Sequence, residues 1–207
     1  MKEKAMTILY RVHHNLYVNL TNRCPCACTF CLRQNMDTVS HEDDRSLWLE
    51  HEPSYEEILA EFDKVDMNDY EELVFCGYGE STERLDVLLR VAAYVKEKFH
   101  SKIRVNTNGM ADLIWNRNTA PDFAHLVDTV SISLNTPDPV RYQELVRCKF
   151  GEKSFDAMLA FAKNVRQYVP NVVLTTVDTT LTKEEESRCA QICESLGVTY
   201  RIRPWED

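Results

Sequence analysis

Four of the eight cysteines in this 207-residue chain fall within Cys24-Pro-Cys26-Ala-Cys28-Thr-Phe30-Cys31. Cys24, Cys28 and Cys31 carry the spacing Cys-x-x-x-Cys-x-x-Cys, with an aromatic residue just before the last thiol. Three thiolates on one tight loop can grip three irons of a cubane iron-sulfur cluster and leave the fourth iron open to another ligand. Zinc is the competing chemistry, and it wants four ligands, usually in pairs. A fourth ligand would have to come from Cys26, His13, His14 or Cys76, and none of these completes a second pair at zinc spacing. Cys26 itself lies outside the spacing, either as a spare thiol or as a competitor for the cluster.

Other polar groups stand where ligands gather. Gly77-Tyr78-Gly79-Glu80 follows an apolar run; glycines there let the backbone approach a ligand, and a carboxylate can accept from an ammonium group. Asn106-Thr-Asn108-Gly109 offers two amides suited to a sugar hydroxyl or a carboxylate, with turn capping as the plainer role for Asn108. Ser131, Ser133 and Asn135 share one face of a strand by its period of two, opposite apolar neighbours, and call for a hydrogen-bonding partner. Arg201 and Arg203 point one way from the last strand; inward they would meet an anionic group, outward they would be solvated. Cys189 and Cys193 are one helical turn apart, either a ligand pair or buried thiols. Cys76 is expected to pack beneath the Gly-Tyr-Gly loop, and Cys148 has no readable role.

The elements that must position these residues alternate. Tyr10–Val12 reads as an opening strand or hairpin and Leu16–Leu20 as the first core strand, directly before the cysteines. Strands follow at 73–76, 103–105, 130–134, 172–177 and 199–202, separated by helical patterns at 55–62, 85–99, 123–127, 155–169 and 182–196. Six strands alternating with helices indicate a parallel sheet, and either an open partial barrel or a doubly wound sheet would fit. In both, ligands collect at the C-terminal strand ends, where the Cys loop, Gly77–Glu80 and Asn106–Gly109 fall. With no repeat, low-complexity tract or linker, residues 1–207 read as one domain.

Composition narrows the class. The formal charge is −9, with 24 Lys and Arg scattered against 33 Asp and Glu, which argues against a nucleic-acid partner. No segment offers a signal-peptide core or a membrane span, so a cytoplasmic protein is expected, and its cysteines point to metal or redox chemistry rather than disulfides.

In this setting the Cys motif resembles that of the radical S-adenosylmethionine (radical SAM) superfamily. The loop after it, Gly-Tyr-Gly-Glu-Ser-Thr, Asn-Thr-Asn-Gly and the ending Tyr-Arg-Ile-Arg-Pro-Trp look most like the TatD-associated members. The resemblance implies a partial (β/α)6 barrel of parallel strands. It also implies a [4Fe-4S] cluster on Cys24, Cys28 and Cys31, whose open iron takes the amine and carboxylate of S-adenosylmethionine. Reductive cleavage then releases a 5′-deoxyadenosyl radical that abstracts hydrogen from a substrate. By the same resemblance Gly77, Tyr78, Gly79 and Glu80 belong to the cofactor cradle, Gly79 and Glu80 at the methionyl amine. Ser133 and Asn135 would reach the ribose or the methionyl carboxylate, with Asn106, Asn108 and Arg201 as further cofactor contacts. The implied partners are a substrate, either a small molecule or a protein, an electron donor such as flavodoxin or ferredoxin, and a functional link to a TatD-type hydrolase. Three classes stay open: an oxidoreductase-type enzyme abstracting hydrogen from a small metabolite, nucleotide or modified base, similar to the small deazaguanine-forming members of the superfamily, an activase that installs a glycyl radical on a partner protein, and a non-catalytic zinc or redox protein. The stretch from Arg33 to Pro53, with Trp48 between two leucines, is expected to serve as a lid or docking element.

Overall fold

A hairpin opens the chain. β1 (Leu9–Val12) runs antiparallel to β2 (Asn15–Val18) with Tyr10 opposite Tyr17, and His13 takes the left-handed conformation that the tight connection needs, at φ 52°. After the hairpin the paired strands within each half are parallel, because helices and loops carry the chain back before each new strand. The computed structural model describes residues 4–35 and 46–204. Its seven strands follow chain order in an open, mostly parallel α/β sheet, as the expected partial barrel requires, with the hairpin as the added first strand.

Two compact units make up the chain. The first comprises the described residues of Met1–Cys24 and Phe30–Asn106. Here β2 pairs with β3 (Glu72–Phe75) and β3 with β4 (Lys102–Thr107). α1 (Leu32–Asn35) is a single turn after the last clustered cysteine. α2 (Tyr55–Phe62) starts at a Ser54/Glu57 capping box and buries Ile58 and Phe62. α3 (Leu85–Phe99) buries Leu88, Val91 and Val95 at helical spacing and ends at His100 in the left-handed conformation. Phe62, Tyr94 and Phe99 pack ring against ring where α2 meets α3. Full burial of each such side chain is worth roughly 1.5–3 kcal/mol.

The second unit comprises Pro25–Thr29 and the described residues of Thr107–Asp207. It holds α4 (Ala111–Trp115), β5 (Thr129–Ser133), α5 (Pro139–Val146), α6 (Lys153–Val165), β6 (Asn171–Val177), α7 (Lys183–Leu196) and β7 (Thr199–Arg203), with β5 parallel to β6 and β6 to β7. Phe123 and Phe161 meet edge to face in its core, and Phe123, Phe161, Ile132 and Met158 are all fully buried. α7 is bounded as its sequence suggests, by a Thr182/Glu185 capping box and by Gly197 at φ 67°. The helix expected at 123–127 is instead a 3-10 turn at Ala120–Phe123, because His125 adopts φ 63° and stops propagation. Among the described residues no helix is long and apolar enough to cross a membrane.

Candidate functional site

In the first unit, the chain leaving β2 toward Cys24 is held carbonyl by carbonyl. Arg84 donates to Leu20 O (3.2 Å), Arg33 to Asn22 O (3.3 Å), and the Glu80 amide to Arg23 O (2.8 Å). Gly79 lies so close to this segment that a Cβ there would stand 2.2 Å from Thr21 O and 2.6 Å from Arg23 O. Gly77 likewise leaves room for the Asn19 side chain, 2.2 Å from where its Cβ would be. The two glycines therefore admit the chain's own loop base, where the sequence alone suggested the approach of a ligand. Glu80 is 5% exposed, and one carboxylate oxygen accepts from the Thr82 amide (3.2 Å) and hydroxyl (2.7 Å). Tyr78 meets Trp48 edge to face, ring centroids 5.3 Å apart.

Trp48 belongs to a segment that docks on the same loop base. Asn22 donates to Leu49 O (2.8 Å) and accepts from Leu49 N (3.0 Å), so one side chain serves as a strand partner, and Asn19 donates to Leu47 O (2.8 Å). Glu52 takes hydrogen bonds from Thr21 and Arg23. Leu47 and Leu49 are buried. The described end of the expected lid is thus fastened to the first unit; residues 36–45 of it lie outside the described residues.

In the second unit Pro25–Thr29 is seated on the end of α5. Ala27 N donates to Val146 O (3.0 Å), Thr29 N to Leu145 O (2.9 Å), and Lys149 N to Pro25 O (2.8 Å). Pro25 and Cys26 are buried, whereas Cys24, Cys28 and Cys31 are half-buried and not in disulfides. Cys26 Sγ accepts from Asn108 Nδ2 (3.6 Å), and Asn108 Oδ1 accepts from Met110 N (3.0 Å), so the capping role of Asn108 holds and its amide is engaged at both ends. Cys148 is buried beside Cys26; a hydrogen bond from Cys26, outweighing burial, draws the Cys148 thiol down to about 6. Cys189 and Cys193 are a different case, since burial pushes them to about 11 and about 12 and leaves them inert thiols. They are core residues and not the ligand pair their spacing allowed.

The remaining polar positions are distributed as follows. Asn106, at the C-terminal end of β4 in the first unit, has a buried Oδ1 with no hydrogen-bond partner among the described residues. Ser131, Ser133 and Asn135 are half-buried on one face of the β5 segment while Val130, Ile132 and Leu134 are buried on the other. Asn135 takes φ 64° as its amide and that of Leu134 share Thr175 O. Arg201 is exposed, and Arg203 half-buried, because β7 pairs only with β6 within its unit. Cys76 is half-buried next to Gly77, and its carbonyl accepts from Tyr10.

Among the described residues no three His, Cys, Asp or Glu side chains are already gathered around a metal position. The donor set is nevertheless right for an iron-sulfur cluster: three half-buried thiols on one short loop, with the fourth thiol buried. Asn106 Oδ1, buried and lacking a donor, suits a polar small molecule at the same strand ends. Sequence reasoning missed Asn19, Thr21, Asn22, Arg23 and Glu52 as the residues that set the loop. The available signal was the polar run Asn19-Leu-Thr-Asn-Arg immediately after an apolar strand.

The model of the Radical SAM superfamily matches residues 18–193. SuiB of Streptococcus suis bound to its precursor peptide SuiA is similar at 16% identity and TM-score 0.66, over 93% of this chain and 39% of that one. SuiB bound to S-adenosylmethionine is similar at 18% identity and TM-score 0.60, over 92% and 38%. A radical SAM methyltransferase from Sphaerobacter thermophilus is similar at 14% identity and TM-score 0.65, over 96% of this chain and 69% of that one. The chain thus spans well under half the length of SuiB. No curated protein sequence matches it.

Proposed function

The chain belongs to the radical SAM superfamily, whose members use a [4Fe-4S] cluster with S-adenosylmethionine, and we propose that it is an enzyme of this chemistry acting on a small organic substrate. The observation that carries the proposal is the division of labour in the cysteine loop. Cys24, Cys28 and Cys31 are half-buried cysteines outside any disulfide at the family spacing, whereas Cys26 is buried with Asn108 against its sulfur. These three residues would hold the cluster, which when bound supplies the electron that cleaves S-adenosylmethionine to a hydrogen-abstracting 5′-deoxyadenosyl radical.

The chain's own residues supply binding and orientation. In the first unit, the Glu80 carboxylate, fixed by Thr82, is assigned to the cofactor's ammonium group and Asn106 Oδ1 to a hydroxyl donor. In the second, Ser133 and Asn135 are assigned to ribose or carboxylate contacts, with Arg201 as an exposed cation for an anionic group. Gly77 and Gly79 act one step back, by letting the loop base pack. The resemblance of the motifs at Gly77–Thr82 and Asn106–Gly109 supports membership of the TatD-associated group, and with it the proposed link to a TatD-type hydrolase. Flavodoxin or ferredoxin is the proposed electron donor. A cytoplasmic setting is part of the proposal, since eight cysteines outside any disulfide suit a reducing compartment.

Anaerobic reconstitution tests it. About four irons with matching sulfide, and 5′-deoxyadenosine released from S-adenosylmethionine by a strong reductant, are expected, both lost in Cys28→Ala. Zinc without cofactor cleavage would overturn the reading. Acceleration of cleavage by the low-mass filtrate of a lysate supports a small substrate; acceleration by the macromolecular fraction alone would replace it with a protein substrate.

A further inference from the structure

Two buried thiols in the second unit take no part in the chemistry proposed above. Cys26 and Cys148 are each 4% exposed, and they come from segments far apart in sequence. Cys26 stands between the assigned ligands Cys24 and Cys28. Cys148 sits in the tight turn after α5, where its carbonyl accepts from the Gly151 amide (3.0 Å) and from Gln143 Nε2 (3.0 Å). The two thiols are hydrogen-bonded to each other, and Asn108 Nδ2 reaches Cys26 Sγ from a third segment. The same turn grips the loop backbone on both sides of Cys26, through Lys149 N to Pro25 O and Ala27 N to Val146 O.

A buried thiol with hydrogen-bonding partners behaves as a packing group, and exchanging it for an iron ligand would strip those partners and expose the seat. We propose that Cys26 is a positioning residue: with Cys148 and Asn108 it anchors the middle of the cluster loop to the α5 turn, so that the loop presents Cys28 and not Cys26 to iron. The proposal rests on the reading of Cys24, Cys28 and Cys31 as cluster ligands, but the anchor is a property of the cluster-free fold and is tested there first.

In cluster-free, reduced protein, alkylation with mass-spectrometric readout should modify Cys24, Cys28 and Cys31 at least about tenfold faster than Cys26 and Cys148, because reaction requires an accessible thiolate. Cys148→Ala should open Cys26 to alkylation, and Cys26→Ala should open Cys148. After reconstitution, Cys26→Ala and Cys148→Ala should each keep the iron content of the parent but lose iron to a chelator several-fold faster. The double variant should lose it no faster than either single, since the two act as one unit. Cys26→Ser, which keeps a hydrogen-bonding group of similar size, should restore the slow loss. Rapid alkylation of Cys26 in the parent, additive effects in the double variant, or iron content in Cys26→Ala as low as in Cys28→Ala would each overturn the anchor. If the parent takes up no iron at all, the cluster reading fails, and the alkylation pattern alone still decides whether Cys26 and Cys148 form a buried pair.

Discussion

Gly79 shows how much a single residue can carry. A methyl there would meet two backbone carbonyl oxygens, neither of which can rotate away, and overpacking of this kind costs about 1–3 kcal/mol. Because those carbonyls belong to Thr21 and Arg23, the strain falls on the base of the cysteine loop. Gly79→Ala is therefore expected to lower Tm and also to weaken iron retention after reconstitution. Gly197→Ala is the control: its φ of 67° makes it a strained substitution of about 1–2 kcal/mol, and a Cβ there would meet the Arg166 guanidinium at the end of α7, not the cysteine loop. Equal iron retention in the two variants would show that the close approach does not seat the loop. Sequence reading found the need for close approach at Gly77 and Gly79 but not the atoms that approach, because Asn19 and Thr21 are brought there only by the pairing of β2 with β3. Cys26 follows the same pattern. Its departure from the metal spacing was visible, while its partner Cys148 was not, since a contact between distant segments leaves no local period.

Elements were legible where a local rule marks them. The Thr182 capping box and Gly197 bracket α7, and the alternation of Ser131, Ser133 and Asn135 with apolar residues marks β5. α5 was missed although Asp138 caps it and Pro139 occupies its first turn, because Pro137-Asp-Pro139 reads as a loop and only Tyr142 and Val146 are buried. That helix matters, since its end seats the cysteine loop. α6 stops at Val165, short of the expected Val169, since Pro170 turns the residue before it away from helical geometry. The segment from Ser46 to Pro53 has no element of its own and is held by side chains, which gives it a pH dependence. Burial, the largest single influence on Glu52, raises its pKa, but hydrogen bonds from Arg23 and Thr21 and the charges of Arg23 and Arg84 together outweigh it and leave the carboxyl below its ordinary value. A folded-state value below the unfolded one contributes stability that is present above the ordinary carboxylate range and lost as pH falls through the depressed value. Parent protein should therefore lose Tm on acidification more steeply than Glu52→Gln, whose curve starts lower at neutral pH and runs flatter. Parallel curves for the two proteins would remove Glu52 from the account.

At the scale of the whole molecule, the comparison structures include one bound to a precursor peptide and one methyltransferase, and both resemble this chain at TM-scores of 0.65 to 0.66. What this chain shares with them is the α/β fold; its superfamily uses a [4Fe-4S] cluster with S-adenosylmethionine, so the property to expect of the chain by itself is cofactor binding, with the substrate set by residues at the strand ends. Where the cluster held by Cys24, Cys28 and Cys31 would contribute to holding the cofactor, that binding would be conditional on the cluster. A ligand that binds only the native state stabilises it by RT ln(1 + [L]/Kd), about 2.7 kcal/mol at a hundredfold excess over Kd. For a chain of this length each kcal/mol moves Tm by about 2–4 °C. S-adenosylmethionine at that excess should then raise Tm of the reconstituted protein by about 5–10 °C and leave the cluster-free protein, and Cys28→Ala, nearly unmoved. Calorimetry of the three samples under anaerobic conditions reads this directly. An equal shift with and without the cluster would mean that the protein cradle holds the cofactor by itself, through residues such as Glu80 and Asn106. The thiols would then serve the electron-transfer step and not the affinity.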